Sequence, residues 1–286
     1  MKKRDCIIKG LLFENKISIA LLDCTQLVNV CIQKHNLAPL AASTIARVLL
    51  VASYLSASLK NEEDSCSITI KGDGLGGDIF VSGNQKLQLR GYITNGQVQQ
   101  TNENELDAST CIGKNGTITV LYQDNGKPCM GTTNLVAGDV TEDFIAYFTQ
   151  SEQRFTDMHL QVKLDSDGKC KVAYAICIQA LPEVEQEQIN QAIALMHTFY
   201  TLDTLFEDED IVTIWERYVQ TEKLSIKYPR YTCTCSKEGM QALLFALGRE
   251  ELESIIKEQG KIDIHCHYCN TDYIFFKEDI DNLYTK

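Results

Sequence analysis

Four cysteines near the C-terminal end constrain this chain more than any other feature: Cys233-Thr234-Cys235 and Cys266-His267-Tyr268-Cys269 form a CxC and a CxxC set 30 residues apart. Two close pairs from separate segments supply four sulfur ligands for a tetrahedral zinc ion, Zn2+, and leave no open position for a catalytic water. A site closed in that way is structural or redox-sensing rather than hydrolytic. The alternative is four unrelated buried thiols, but two tight pairs within 37 residues rarely arise from core packing alone. His265 and His267 flank Cys266 and are the candidates to replace a ligand.

At 286 residues the chain is long enough for a sizeable core and for two domains. Hydrophobic content of 44% and charged content of 23% are those of an ordinary globular protein. Twelve cysteines without a secretory signal point to a reducing compartment, where thiols stay free or bind metal. The start, Met1-Lys2-Lys3-Arg4, imitates the basic head of a signal peptide, but Lys9, Gly10, Glu14 and Lys16 interrupt the apolar run that should follow. No stretch approaches the roughly 18 uninterrupted apolar residues of a membrane helix. The expectation is a cytoplasmic protein without a membrane partner.

The pattern along the chain divides it into three parts and predicts an α+β fold. Residues 1–178 form a mixed core domain. Cys6 to Phe13 and Ile17 to Leu22 are short β-rich runs, and Leu27 to His35 and Leu40 to Leu59 follow with apolar residues at helical spacing. Ser67 to Lys71, Asp78 to Val81, Leu87 to Thr94 and Thr117 to Tyr122 are strands set off by Asn-Gly turn signals. Val140 to Ser151 returns to a helix with Thr141 as its expected cap and Glu142 and Asp143 in its first turn, and Val172 to Ala180 is a strongly apolar closing strand.

Residues 179–230 read as a helical linker. Ile189, Ile193, Met196 and Tyr200 make one apolar stripe, four adjacent acids at Glu207-Asp208-Glu209-Asp210 interrupt it, and an amphipathic pattern resumes around Trp215. A segment of this kind has no core of its own and depends on its neighbours. Residues 231–286 form the zinc-bearing module. Met240, Leu243, Leu244 and Leu247 make one helical face that Gly248 breaks, Leu252, Ile255 and Ile256 make another that Gly260 ends, and two short strands flank the CxxC. A module of this size has a marginal core without a metal staple.

The net charge of −12 distributes as −2 over residues 1–178, −6 over 179–230 and −4 over 231–286. Nucleic-acid binding draws most of its affinity from Lys and Arg on phosphates, so an acidic zinc module argues against the rival reading, a zinc ribbon that binds nucleic acid or serves transcription.

Other motifs weigh little. Gly72-Asp73-Gly74-Leu75-Gly76-Gly77 satisfies GxGxxG, but that fingerprint holds pyrophosphate only where it opens a helix, and here a strand follows. A thioredoxin-type CxxC opens a helix in a βαβ setting, whereas Cys266 and Cys269 lie between two short strands beside a second cysteine pair. With no Ser-His-Asp or paired-carboxylate constellation, the chain is not expected to be an enzyme. Cys6, Cys24, Cys31, Cys66, Cys111, Cys129, Cys170 and Cys177 lack motif spacing and read as core or surface thiols.

The CxC and CxxC spacing resembles that of the heat shock protein 33 family, the 33 kDa chaperonins, a bacterial family of redox-regulated holdases. The resemblance runs along the chain through Gly72-Asp73-Gly74, Leu75-Gly76-Gly77, Arg90-Gly91-Tyr92, Ile112-Gly113-Lys114, Leu135-Val136-Ala137-Gly138 and Phe148-Thr149-Gln150-Ser151-Glu152-Gln153. It implies that Cys233, Cys235, Cys266 and Cys269 bind one zinc when reduced. Oxidation then forms Cys233–Cys235 and Cys266–Cys269 disulfides, unfolds module and linker, and exposes apolar surface that holds unfolding client proteins without ATP. Ile189, Ile193, Met196, Phe199 and Trp215 are candidates for that surface. The resemblance also implies homodimer formation on oxidation and transfer of clients to ATP-dependent foldase chaperones. One departure from the family pattern is Asn270 directly after the CxxC, where a glycine is usual in such knuckles; Asn tolerates the left-handed backbone better than most residues.

Overall fold

The structure is a computed structural model that describes residues 4–99, 107–201 and 204–284, so Met1–Lys3 of the basic start lie outside it. The chain separates into two compact units, Met1–Thr232 and Cys233–Lys286. In the first, β1 (Cys6–Leu12) and β2 (Ile17–Asp23) make a hairpin, followed by α1 (Thr25–His35) and α2 (Pro39–Ala57). Next come β3 (Ser65–Gly72), β4 (Ile79–Asn84), β5 (Gln88–Ile93), α3 (Ala108–Ile112), β6 (Gly116–Asp124), β7 (Lys127–Asn134), α4 (Val140–Gln150), β8 (Thr156–Leu164) and β9 (Cys170–Ala180). The unit ends with α5 (Gln186–Tyr200), α6 (Leu205–Asp208), α7 (Ile211–Ile214), a π-turn over Trp215–Val219, β10 (Lys223–Lys227) and β11 (Arg230–Tyr231).

The strands build two sheets. One has the order β10-β1-β2-β9-β8 and the other β11-β5-β4-β3-β6-β7. All pairs are antiparallel except β11 with β5. The helix α2 packs on both: its core cluster includes Ile7, Leu22 and Ala175 from the first sheet and Ile68, Val81 and Ile118 from the second. Its sequence explains that position. Ala41, Ala42, Ala46 and Ala52 allow close approach, and Thr44 and Ser53 return their hydroxyls to the carbonyls of Leu40 and Leu49 at 2.8 and 2.7 Å, leaving no polar group stranded. This helix is long and apolar enough to cross a membrane by length and composition, yet 94% of its apolar window is buried, as in a core helix.

The five-stranded sheet buries both faces. Ile8, Ile19, Leu21, Tyr174, Ile176 and Ile178 point away from α2 and are covered by Ala192, Met196, Phe199, Phe206, Ile211, Ile214 and Trp215 of α5, α6, α7 and the π-turn. Tyr174 stacks on Phe206 with ring centroids 3.7 Å apart. A strand covered on both sides needs a nearly continuous apolar run, and Val172 to Ile178 in β9 supplies one.

Several expectations need correction. On α5 the buried residues are Ala192, Met196 and Phe199, while Tyr200 is exposed, so the contact stripe is rotated from the one predicted. The cap of α4 is Asp139, which accepts from the Thr141 and Glu142 amides at 2.8 and 3.2 Å; Thr141 is already inside the helix. The acidic run is partnered rather than simply repulsive. Glu207 pairs with Lys163, Glu209 pairs with Arg217, and Asp210 caps α7 through the Val212 and Thr213 amides. The glycine-rich segment ends β3 in a turn, as expected, and opens no helix.

The second unit holds α8 (Lys237–Phe245), α9 (Arg249–Gln259), β12 (Ile262–Cys266), β13 (Thr271–Phe275) and α10 (Lys277–Leu283). Ser236 caps α8 by accepting from the Gly239 amide, and Gly260 ends α9 at φ 76°, a backbone that side chains rarely adopt. Its buried apolar core is Leu244, Leu252, Ile262, Phe275 and Ile280. On α8 only Leu244 is buried, whereas Leu243 and Leu247 are exposed, so the predicted face is narrower than its apolar spacing implied.

Candidate metal centre

The hairpin of β12 and β13 positions half of the site. Ile262 faces Phe275, Ile264 faces Tyr273 and Cys266 faces Thr271, so the period-two alternation that buries Ile262 and Phe275 also sends Cys266 to the inner side. The turn is tied by the amides of Cys269 and Asn270, both donating to the Cys266 carbonyl at 3.3 and 2.9 Å. Asn270 has φ 53°, the left-handed conformation that Asn tolerates better than most residues. Cys233 and Cys235 lie in the stretch without regular structure before α8.

These segments bring all four sulfurs within 4.8 Å of one another. Cys233 Sγ is 3.2 Å from Cys235 Sγ and 3.7 Å from Cys266 Sγ, and Cys235 Sγ is 3.2 Å from Cys269 Sγ. Four thiolates at about 2.3 Å from a tetrahedral ion stand roughly 3.8 Å apart, so the set fits around one metal ion. Among the described residues no other group of three or more His, Cys, Asp or Glu converges in this way. His265 and His267 are not in the cluster; His265 Nδ1 is 2.6 Å from Asp272 Oδ1. Burial pushes the Cys266 and Cys269 thiols up, so a bound cation has to displace their protons.

The other buried cysteines are chemically quieter. Burial raises Cys6 and Cys66 to about 11 and Cys31 and Cys170 to about 12, which keeps them as thiols rather than reactive thiolates. Cys129 is exposed. One neighbour of the cluster escaped sequence reading: Tyr273 places its hydroxyl 3.1 Å from Cys235 Sγ. The signal was available, because Tyr273 shares the inner side of β13 with Phe275.

Residues 5–276 match the family described as Hsp33 protein. The chain belongs to the Hsp33 family of chaperones. Within that family, the 33 kDa chaperonin of Alkaliphilus oremlandii (strain OhILAs) is 30% identical, over 98% of this chain and 96% of that protein. The 33 kDa chaperonin of Bacillus cereus (strain B4264) is 29% identical over 98% of both chains. The crystal structure of the 33 kDa chaperonin, a heat shock protein 33 homolog, from Thermotoga maritima superimposes with a TM-score of 0.87 at 26% identity, covering 98% of this chain and 97% of that one. The α+β architecture and the C-terminal cysteine cluster agree with Hsp33 membership.

Proposed function

We propose that this Hsp33-family chain is a cytoplasmic, ATP-independent holdase switched on by oxidation. The reading divides the chain into a core at 1–178, a releasable linker at 179–230 and a redox module at 231–286. The observation that carries it is the second face of the five-stranded sheet. A broad apolar surface is complete there, and α5, α6, α7 and the π-turn lie over it.

Cys233, Cys235, Cys266 and Cys269 would hold one zinc ion, which when bound keeps the four sulfurs deprotonated and staples a module whose own apolar core, among the described residues, is five buried side chains. Thiolates are the nucleophiles that peroxide oxidises. Joining Cys233 to Cys235 and Cys266 to Cys269 transfers four electrons to two peroxide molecules and converts four ligands into none. With its staple lost the module unfolds. Because β11 ends two residues before Cys233, the unfolded chain then runs directly into the linker. Releasing the linker uncovers Met196, Phe199 and Trp215 together with the sheet face beneath them, and unfolding clients bind that surface. Active dimers and hand-over to ATP-dependent foldases complete the scheme.

The test is light scattering from a thermally unfolding client mixed with reduced, zinc-loaded protein or with protein pre-oxidised by peroxide. Suppression by the oxidised sample alone is the expected result. Equal suppression by both would leave a constitutive binder, and suppression by neither would reopen the nucleic-acid reading.

A further inference from the structure

A cleft of about 510 Å³ opens in the first unit between the C-terminal end of α2, the β6–β7 hairpin and the end of α4. That volume suits a small molecule, and the proposed redox function uses none of the side chains around it. Its inner wall is aromatic. Tyr54 is 4% exposed and Tyr147 and Phe148 are 1% exposed, with ring centroids 6.3 Å apart for Tyr54 and Phe148 and 5.6 Å apart for Tyr147 and Phe148. Into this wall is set one carboxylate, Glu152, whose Oε1 accepts from the Tyr122 hydroxyl at 3.0 Å. Among the described residues its Oε2 has no hydrogen-bond partner and the group makes no ion pair. The nearby cations are engaged elsewhere or solvated. Lys9 Nζ stands 5.5 Å from the centre of the Tyr54 ring but donates to Ser58 Oγ at 2.8 Å, and Lys60 and Arg154 are exposed at the mouth. The hydroxyl of the buried Tyr54 is likewise without a hydrogen-bond partner among the described residues. Burial holds the Glu152 carboxyl above its usual range, and perturbed carboxyls of this kind concentrate at binding sites.

We propose that this cleft binds a small organic amine in its protonated form: the ammonium group sits among Tyr54, Tyr122 and Tyr147 and donates to Glu152 Oε2 and the Tyr54 hydroxyl, while an apolar body lies on Leu55, Phe148 and Met130. An ammonium carries three donors and no acceptor, so it matches two acceptors that the fold leaves open. Its charge is attracted by the faces of the tyrosine rings and by the carboxylate, whose hydrogen bond to a cation is of the strong, charge-assisted kind. A ligand carboxylate in the same place would meet Glu152 as a like charge, and a neutral alcohol would forgo both attractions. The wall is rigid before any ligand arrives. A Cβ on Gly131 of β7 would lie 2.3 Å from Ser151 Oγ and 2.7 Å from the Tyr147 hydroxyl, so the strand presses directly on the end of α4, and the bond from Tyr122 fixes the carboxylate. The site stands on residues of the first unit alone and does not depend on the redox reading.

The experiment titrates the reduced full-length chain with phenethylammonium, phenethyl alcohol and hydrocinnamate, which share one ring and differ in charge. Calorimetry gives the affinity, and isotope-labelled methionine methyl groups give the place, because Met130 is 68% exposed and lines the cleft whereas Met196 and Met240 lie elsewhere in the fold. The amine is expected to saturate with a Kd of about 1 mM or tighter, a modest figure for so small a ligand, to shift the Met130 methyl and to leave those of Met196 and Met240 unmoved. The alcohol and the carboxylate should bind at least about tenfold more weakly. Glu152→Gln keeps the shape of the side chain and should weaken the amine by about tenfold to a hundredfold, erasing its advantage over the alcohol. Tyr54→Phe removes a hydroxyl with no hydrogen bond to lose and should weaken it by about threefold to tenfold. An unchanged Trp215 emission maximum shows that both variants keep the fold. Failure of the amine to saturate, or a shift at Met196 or Met240 in place of Met130, would overturn the site. Equal affinity for amine and alcohol, or wild-type affinity in Glu152→Gln, would reduce the cleft to an apolar depression and overturn the amine assignment as well.

Discussion

Gly10 in β1 and the indole of Trp215 occupy adjoining space that a side chain on Gly10 would destroy. A Cβ on Gly10 would lie 2.7 Å from Trp215 Cζ2 and 2.7 Å from the Glu222 carbonyl oxygen. The indole is further fixed by Nε1 donating to the Thr221 carbonyl at 2.9 Å, while the Thr221 hydroxyl donates to the Leu11 carbonyl at 2.7 Å. A missing side chain in the first strand is what lets Trp215 and the residues after it dock against β1.

Gly10→Val should therefore loosen residues 211–227 from the sheet and destabilise the first unit by roughly 1–3 kcal/mol through overpacking. Trp215 is the single tryptophan of the chain, so its emission reports the event directly. We expect a red shift in the reduced protein and, if the linker is the releasable element, suppression of client aggregation before any oxidation. An unshifted emission maximum would show that the sheet accommodates the side chain and that the docking argument is wrong.

Removing zinc with a strong chelator under reducing conditions should unfold residues 233–286 and leave the two-sheet unit folded. Structural zinc contributes on the order of 10 kcal/mol or more in small modules, well beyond what five buried apolar side chains supply. Hydrogen exchange resolved by peptide checks this. Protection should vanish from β12 and β13 and persist in α2 and β9, and Cys266→Ser should reproduce the pattern without chelator.

Glu152 predicts a pH dependence. Burial holds its carboxyl above the usual carboxylate range, against the hydrogen bond that Tyr122 donates at 3.0 Å. A raised folded-state pKa means the native state holds the proton more tightly, so this group favours folding most below its ordinary value and loses that contribution as pH rises through the raised one. Glu152→Gln should thus gain on wild type between pH 4 and pH 7, by less than about 1 kcal/mol because the group is partly solvated. Denaturant midpoints at the two pH values measure it; a difference that does not grow with pH would contradict the assignment.

The corrected cap of α4 gives a sharp comparison. Asp139→Ala removes the side chain that accepts from two first-turn amides and should cost about 1 kcal/mol. Thr141→Ala should cost less than about 0.5 kcal/mol, as for substitutions away from a cap. The reverse order in thermal unfolding would restore Thr141 as the cap.

The strand and helix periods of residues 6–93 and the metal cluster could be read from sequence because each rests on a local code: period-two alternation, helical spacing, or short cysteine intervals. The rotation of the α5 stripe could not. Ile189 and Ile193 are as apolar as Ala192 and Phe199, and only the sheet beneath decides that the latter two are fully covered while the former are partly so. β10 and β11 were invisible for a related reason. Lys223 to Lys227 alternates weakly, with Leu224 and Ile226 exposed, and it is a strand because β1 offers an edge. Tyr273 shows the opposite failing, since the alternation was legible and its partner, Cys235, lay in a distant segment.

Those two late strands place a demand on synthesis. Ile7 pairs with Lys227 and Leu89 with Tyr231, so each sheet receives its last strand from chain made long after its first. At about 5–20 residues per second, β1 waits on the order of 10–40 s for β10 to emerge. During that interval the nascent chain carries two open sheet edges and an uncovered apolar face, the kind of surface for which aggregation is a hazard. Before it can guard other proteins, each newly made copy passes through a stage in which it is itself in need of guarding.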